Sequence, residues 1–267
     1  MQKRILGVCF FLILIGFISC NTHSDHSSTA TQPATIESLK EAIKANPDSL
    51  GLVQRLIELY RDNGDYDSAI TLTDQQIKKD SGNAFLWNMD ATLHFENGDT
   101  LKAVRSLENA IAIYPIPDYL VALGTVLAEI QNPRCLVIAD SLMEADSIKS
   151  AKDAMFIKGL YYSYQRQYPK AIQYFDSSIR KDFTYMPSYR EKAIALYQQG
   201  NYAHAIKVLT RAVTLENNYD EGYYWLGKCY EKLHRKQDAI QSYQTALLYD
   251  KDYLEARQAL DSLQKEN

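Results

Sequence analysis

Residues 220–253 read DEGYYWLGKCYEKLHRKQDAIQSYQTALLYDKDY. Apolar residues recur three and four apart in both halves, the spacing of two amphipathic helices. The length of this segment is also a period. A 34-residue ruler laid along the chain meets Ala69, Ala103, Ala171, Ala205 and Ala239, and only Val137 breaks the series. Gly64, Gly98 and Gly200 lie on a second line of the same ruler. Self-similarity at such a period is the signature of stacked helix pairs, each of which buries its apolar face only against its neighbours.

Six units follow: 50–83, 84–117, 118–151, 152–185, 186–219 and 220–253. The last carries Tyr223, Leu226, Gly227, Tyr230, Ala239, Tyr243 and Ala246. The second carries Trp87, Ala91, Ala103, Ala110 and Pro115, and the fourth Gly159, Tyr162, Ala171 and Phe175. The fifth has Ala193, Ala205, Leu209 and Ala212, and the first keeps Leu56, Tyr60 and Ala69. This pattern resembles the tetratricopeptide repeat, from about residue 35 to 267. The resemblance implies an all-α, right-handed α-solenoid of six helix pairs. The small residues at positions 8 and 20 of each unit are expected to let its two helices close up where they cross, and those at position 27 to receive the next unit. Glycine at position 15 suits the left-handed turn that ends the first helix, with Asp65, Asp99 and Asn201 behind it. Pro47 and Pro115 sit where a second helix has to stop.

The ends obey the same ruler. Ile36, Leu39, Ala42, Ile43 and Pro47 mark 35–46 as a half-repeat helix covering the first unit. Residues 254–267 read as a capping helix with Glu255, Gln258, Asp261 and Ser262 outward. The third unit departs from the pattern. Leu120, Leu123, Gly124 and Leu127 come one residue early while the unit keeps its length, which places an extra residue in its second helix. Pro115-Ile116-Pro117 precedes it, and Asn132-Pro133 marks its inner turn. Two readings stay open: drift with a shifted turn, or a local change of curvature or docking site in mid-stack.

The amino terminus reads as an address. Lys3 and Arg4 precede a charge-free run from Ile5 to Ser19, too short to span a bilayer comfortably, and then Cys20. The segment resembles a bacterial lipoprotein signal peptide, with Phe17-Ile18-Ser19-Cys20 as its lipobox and Phe17 in place of the usual leucine. The resemblance implies a leader over 1–19 and acylation (including palmitate) of Cys20. Residues 20–34, polar and rich in Ser and Thr, then form a flexible tether. Asn21 argues against retention in the inner membrane by enterobacterial sorting rules. The expected location is the cell envelope, lipid-anchored, at the outer membrane. An ordinary secretory leader with an incidental cysteine is the alternative.

Net charge is −4, without the basic footprint of a nucleic-acid binder, and no nucleic acid is expected as partner. Cys135 and Cys229 read as small buried hydrophobes, too far apart along a stack to pair. No phosphate loop or nucleophile elbow occurs. His23 and His26 lie in the tether, and His94, His204 and His234 fall in different units and do not converge on a carboxylate pair. Asp140 and Glu144 read as surface neighbours on one helix. Neither catalysis, a cofactor nor a metal is expected.

In the family the inner wall is lined by first helices at positions 2, 5, 9, 12 and 13. Carried onto this chain, those positions give the rings Phe85, Phe95, Tyr119, Phe156, Tyr164, Tyr197 and Tyr224. Their polar company is Asn88, Glu96, Arg190, Lys228 and Glu231. Aromatic anchors with a few charges are what peptide grooves use. Tyr60, Tyr66, Tyr162, Tyr168, Tyr202, Tyr230 and Tyr243 fall at core positions instead. Gln54, Glu58 and Met89 stand where the family's clamps for chaperone tails need Lys and Asn, so no carboxylate clamp is expected. The expected function is a membrane-anchored scaffold or adaptor holding a protein or peptide partner in that groove. The layout is similar to lipoproteins that recruit peptidoglycan hydrolases and to pilotin-type lipoproteins of secretin and pilus assembly. A hydrolase with the groove as cleft and a self-associating structural lipoprotein are the alternatives.

Overall fold

The computed structural model describes residues 35–146 and 148–265, so the leader, the tether and Cys20 lie outside the described residues. Those residues form fourteen α-helices and no strand, in two compact units that divide between Lys79 and Asp80. The first unit holds α1 (Ile36–Ala45), α2 (Leu50–Asp62) and α3 (Tyr66–Lys79). The second runs α4 (Ala84–Glu96), α5 (Thr100–Ile113), α6 (Pro117–Glu129), α7 (Arg134–Ala145), α8 (Ala151–Tyr164) and α9 (Tyr168–Lys181). It continues with α10 (Met186–Gln198), α11 (Tyr202–Leu215), α12 (Asp220–Lys232), α13 (Lys236–Tyr249) and α14 (Leu254–Lys265). Even-numbered helices from α2 to α12 are the first helices of pairs, and each packs on the helix that follows it.

Local chemistry sets the helix ends. Thr35 and Ser38 form a reciprocal capping box on α1, with bonds of 2.9 and 3.1 Å. The Asp65, Asn83 and Asp99 carboxylate or amide oxygens accept from the Ser68, Phe85 and Lys102 backbone N–H groups. Each pair turns on one left-handed residue. The backbone N–H after it reaches back five residues to close the helix end, as Asp65 does to Tyr60 and Arg235 to Tyr230. Gly64, Gly98 and Gly200 fill three of these positions, as expected. Gln131, Arg166 and His234 fill the others at φ 56°, 62° and 55°, a region costly for residues with a Cβ. Arg166→Gly and His234→Gly are each expected to add about 0.5–1 kcal/mol of stability, the left-handed cost less glycine's entropy. Gly200→Ala should lose about 1 kcal/mol. Thermal melts of the single variants check both signs.

The third unit resolves into a register shift. Its left-handed residue, Gln131, comes one place early, and Cys135 takes the alanine's place at 0% exposure, whereas Val137 is 66% exposed. The compensation is not in the second helix, which is a correction. Helix α7 is shorter, 12 residues against 14 in α5 and α9, and the additional chain lies in the turns on either side. Helices α6 and α8 pack directly on each other here, with the Ile157 side chain seated over Gly124.

The ruler alanines are all fully buried. The role of position 8 differs from expectation. At Gly159 and Gly227 an added Cβ would lie 2.5 and 2.4 Å from the Phe175 and Tyr243 rings, not against facing backbone. Glycine makes room for an aromatic ring on the partner helix. Where that ring is replaced by Leu107 or Leu209, the glycine is replaced by Ala91 or Ala193. Ser178, in the place of a position-27 alanine, donates to the Lys152 carbonyl (2.8 Å) and accepts from the Ser188 hydroxyl (2.7 Å), tying three helices. Ala256 of α14 is buried with Tyr243 and Ala246, and Glu255, Gln258, Asp261 and Ser262 stay exposed.

Candidate functional site

The first helices α8, α10 and α12 bring together five of the residues expected in the groove: Tyr164, Arg190, Tyr197, Tyr224 and Lys228. Arg190 is the hinge of the arrangement. Its Nη1 donates to both Glu221 oxygens (2.9 and 2.7 Å) and its Nε to Glu191 (3.0 Å), so it links α10 to α12. The Arg190 side chain is only 11% exposed. Burial disfavours its charge, but the Glu191 and Glu221 carboxylates outweigh that and raise its pKa. Burial pushes the Glu191 carboxyl up, against the pull of Arg190. Beside this network, Tyr197 meets Trp225 edge-on at 5.6 Å, and Tyr224 packs on Trp225 (5.7 Å) and Tyr253 (5.0 Å). Burial raises the Tyr197 hydroxyl to about 12. Lys228 lies 3.6 Å from Glu231.

Tyr119 and Phe156 are corrections: both are core, not wall. Tyr119 is 9% exposed and packs with Ala84 and Ala110, because the early start of α6 rotates it inward by one residue. Phe156 is 6% exposed, and Tyr185, from the loop before α10, lies edge-on against it at 5.5 Å and closes it off. Phe85, Asn88 and Phe95 are half-buried on α4, which packs on α5 and stands apart from the α8–α12 strip. The Asn88 side-chain oxygen is buried without a hydrogen-bond partner.

Position-by-position reading missed Glu129, Glu191, Glu221 and Trp225. Glu191 and Trp225 sit at position 6, one place past a wall position. Glu129 stands two residues before Gln131, just as Tyr164 stands two before Arg166, so the true turn register would have found it. Gln131 Nε2 donates to the Tyr164 carbonyl (3.2 Å), pinning the ends of α6 and α8 together. The Glu129 carboxyl is raised, first by burial and then by Glu191. A raised folded-state pKa gives stability that is full below the unfolded value, about pH 4, and lost as pH rises through the folded one. Glu129→Gln is therefore expected to raise Tm at pH 7 and leave it unchanged near pH 4. A lower Tm at pH 7 would reverse that sign.

His94 meets one carboxylate, that of Asp90 on its own helix, and not a carboxylate pair. Its Nε2 lies 3.6 Å from Asp90 Oδ1, and the Ser106 hydroxyl donates to Asp90 Oδ2 at 2.5 Å. Both partners address the aspartate, so the imidazole does not reach the hydroxyl as a base must, and all three residues are buried. Cys135 and Cys229 are free and fully buried, with burial raising their thiols to about 11 and about 12. Among the described residues no His, Cys, Asp or Glu cluster is placed to hold a metal, and no helix is long and apolar enough to cross a membrane.

Helix pairs of this length, turning on a left-handed residue around a buried alanine, define a class of repeat protein. Family models described as TPR repeat and tetratricopeptide repeat match residues 194–233 and 220–253. Residues 194–253 thus match tetratricopeptide repeats, and the described residues have the all-α solenoid fold of such proteins. Mouse DnaJ homolog subfamily C member 7 is 24% identical over 200 residues, 68% of this chain. The chain spans about 40% of the length of the curated relatives it matches. A tetratricopeptide repeat protein from Parabacteroides merdae superposes with a TM-score of 0.66 at 19% identity, covering 86% of this chain and 91% of that one. Yeast Tom70 superposes with a TM-score of 0.67 at 16% identity, covering 86% and 49%. These two likenesses are of fold alone. Repeats of this kind are in general non-enzymatic scaffolds for protein–protein interaction.

Proposed function

We propose that the protein is a lipid-anchored scaffold of a bacterial cell envelope, holding an extended protein or peptide partner along the wall of α8, α10 and α12. The observation that carries the groove is the joining of Tyr164, Arg190, Tyr197 and Tyr224 on consecutive first helices, half-buried and so still reachable. Rings held by neighbours lose little freedom on binding, and a charged pair between them sets register. The anchor rests on the lipobox ending at Cys20, and the outer membrane on Asn21.

In-cell photo-crosslinking from Tyr164 or Tyr197 tests the groove. A discrete partner trapped at both positions supports it. Capture only from outward positions such as Gln241 or Asp261 refutes it. The anchor is tested separately. Mass spectrometry should find an acylated Cys20 as the mature amino terminus, and Cys20→Ser should release the protein from membranes. An unmodified Cys20, or a mature terminus elsewhere, removes the anchor and leaves the groove untouched.

A further inference from the structure

A run of rings crosses the proposed wall. Tyr202 lies 5.1 Å from Tyr197, Tyr197 5.6 Å from Trp225, Trp225 5.7 Å from Tyr224, and Tyr224 5.0 Å from Tyr253. All five pack against core residues and are still partly open to solvent. Tyr197 and Tyr224 each stand nearly perpendicular to Trp225, at 73° and 74°, so the surface there is ridged rather than flat. The Tyr197 and Tyr224 hydroxyls and the Trp225 indole N–H have no hydrogen-bond partner among the described residues, and none of the three is sealed off from water. The Trp87 indole, by contrast, donates to the Ser81 carbonyl at 2.9 Å. The charges beside the rings are already paired, Arg190 with Glu191 and Glu221, and Lys228 with Glu231.

Open donors ask for free carbonyls. A helical segment spends its carbonyls internally, except in its last turn. A strand needs a backbone edge to pair with, and a wall of helices offers none. A polyproline II segment has no internal hydrogen bonds, so its carbonyls stay free, and its prolines are apolar and already ordered. It advances about 9 Å per turn, within reach of the two steps that lead from Tyr197 over Trp225 to Tyr224. With the neighbouring charges paired, an uncharged segment seats without disturbing them, whereas an acidic or basic one competes for Arg190, Glu191 or Glu221. Resting on the reading of this wall as a peptide groove, we propose that Tyr197, Trp225 and Tyr224 form a receptor for an uncharged, proline-rich segment of the partner in the polyproline II conformation. Prolines sit against the rings, and the indole N–H and the tyrosine hydroxyls donate to the carbonyls between them.

Three fluorescein-labelled peptides of equal length test this on the full chain by anisotropy: L-decaproline, its mirror image D-decaproline, and alternating Ala-norleucine. L-decaproline should bind about tenfold tighter than either of the others. Tyr197→Phe and Tyr224→Phe keep the ring, and with it the packing, and each removes one donor. Each should weaken L-decaproline about fivefold and leave the norleucine peptide unchanged. Tyr114→Phe, at an exposed turn outside the wall, should change neither. Equal binding of the two mirror images, equal binding of L-decaproline and the norleucine peptide, inert Tyr197→Phe and Tyr224→Phe variants, or an equal loss with Tyr114→Phe overturns the proline site. If the norleucine peptide still binds and Tyr197→Ala weakens it, the groove reading survives that loss. If no peptide binds, or none responds to Tyr197→Ala, both fall.

Discussion

Arg190→Met is expected to cost about 3–5 kcal/mol, far more than the lost hydrogen bonds alone. Methionine fills most of the space, so packing is not the main loss. What remains is two carboxylates, Glu191 at 9% exposure and Glu221 with its side chain at 22%, facing each other without a cation. The cost is that of stranded charge. It should therefore shrink as pH falls and the stranded carboxylates take up protons, since a carboxyl whose folded-state pKa is raised destabilises only above that pKa. The triple variant Arg190→Met, Glu191→Gln, Glu221→Gln should recover most of the loss, because replacing a whole buried ion network by neutral groups is often close to neutral. Urea denaturation at pH 7 and pH 5 measures all of this. A triple variant no more stable than the single one would mean that Arg190 acts through packing, and the electrostatic account of the wall would fail with it.

The fold was legible because repetition multiplies weak signals. No single alanine specifies a helix crossing, but Ala69, Ala103, Ala171, Ala205 and Ala239 in phase specify five, and each is fully buried. Val137 breaks the series because the turn at Gln131 comes early and Cys135 moves into the slot. A fixed ruler reads that shift as an exception. Gln131, Arg166 and His234 hid three of the six turns, because polar residues can fill a left-handed position at a cost that sequence alone does not reveal. The wall was less legible. Position numbers give direction only while register holds, so Tyr119 was turned inward by the shift in α6. Phe156 has the correct register and is still covered, by Tyr185 at the far end of its own unit. Arg190 pairs with Glu221, 31 positions away, and no pattern confined to one unit encodes that contact. The lipobox lies outside the described residues.

Phe175→Ala should cost about 3–5 kcal/mol, the range for emptying a fully buried aromatic site. The ring is 0% exposed and packs over Gly159 and beside Phe156. A sharper result comes from the chain's own variation. Units with an aromatic ring on the second helix, Phe175 or Tyr243, have Gly159 or Gly227 beneath it. Units with Leu107 or Leu209 have Ala91 or Ala193. The two positions share one volume. Gly159→Ala alone drives a methyl into the Phe175 ring and should cost about 1–3 kcal/mol. Phe175→Leu alone leaves a void and should cost a similar amount, about 1–2 kcal/mol. Together they rebuild the arrangement already present at Ala193 and Leu209, so the double variant should be more stable than the sum of the singles by about 1–3 kcal/mol. The cycle is read by urea denaturation, with the slope checked for a constant exposed surface. Strict additivity would show that the glycine serves backbone approach between the helices rather than the ring, and the pairing rule for this repeat would have to be abandoned.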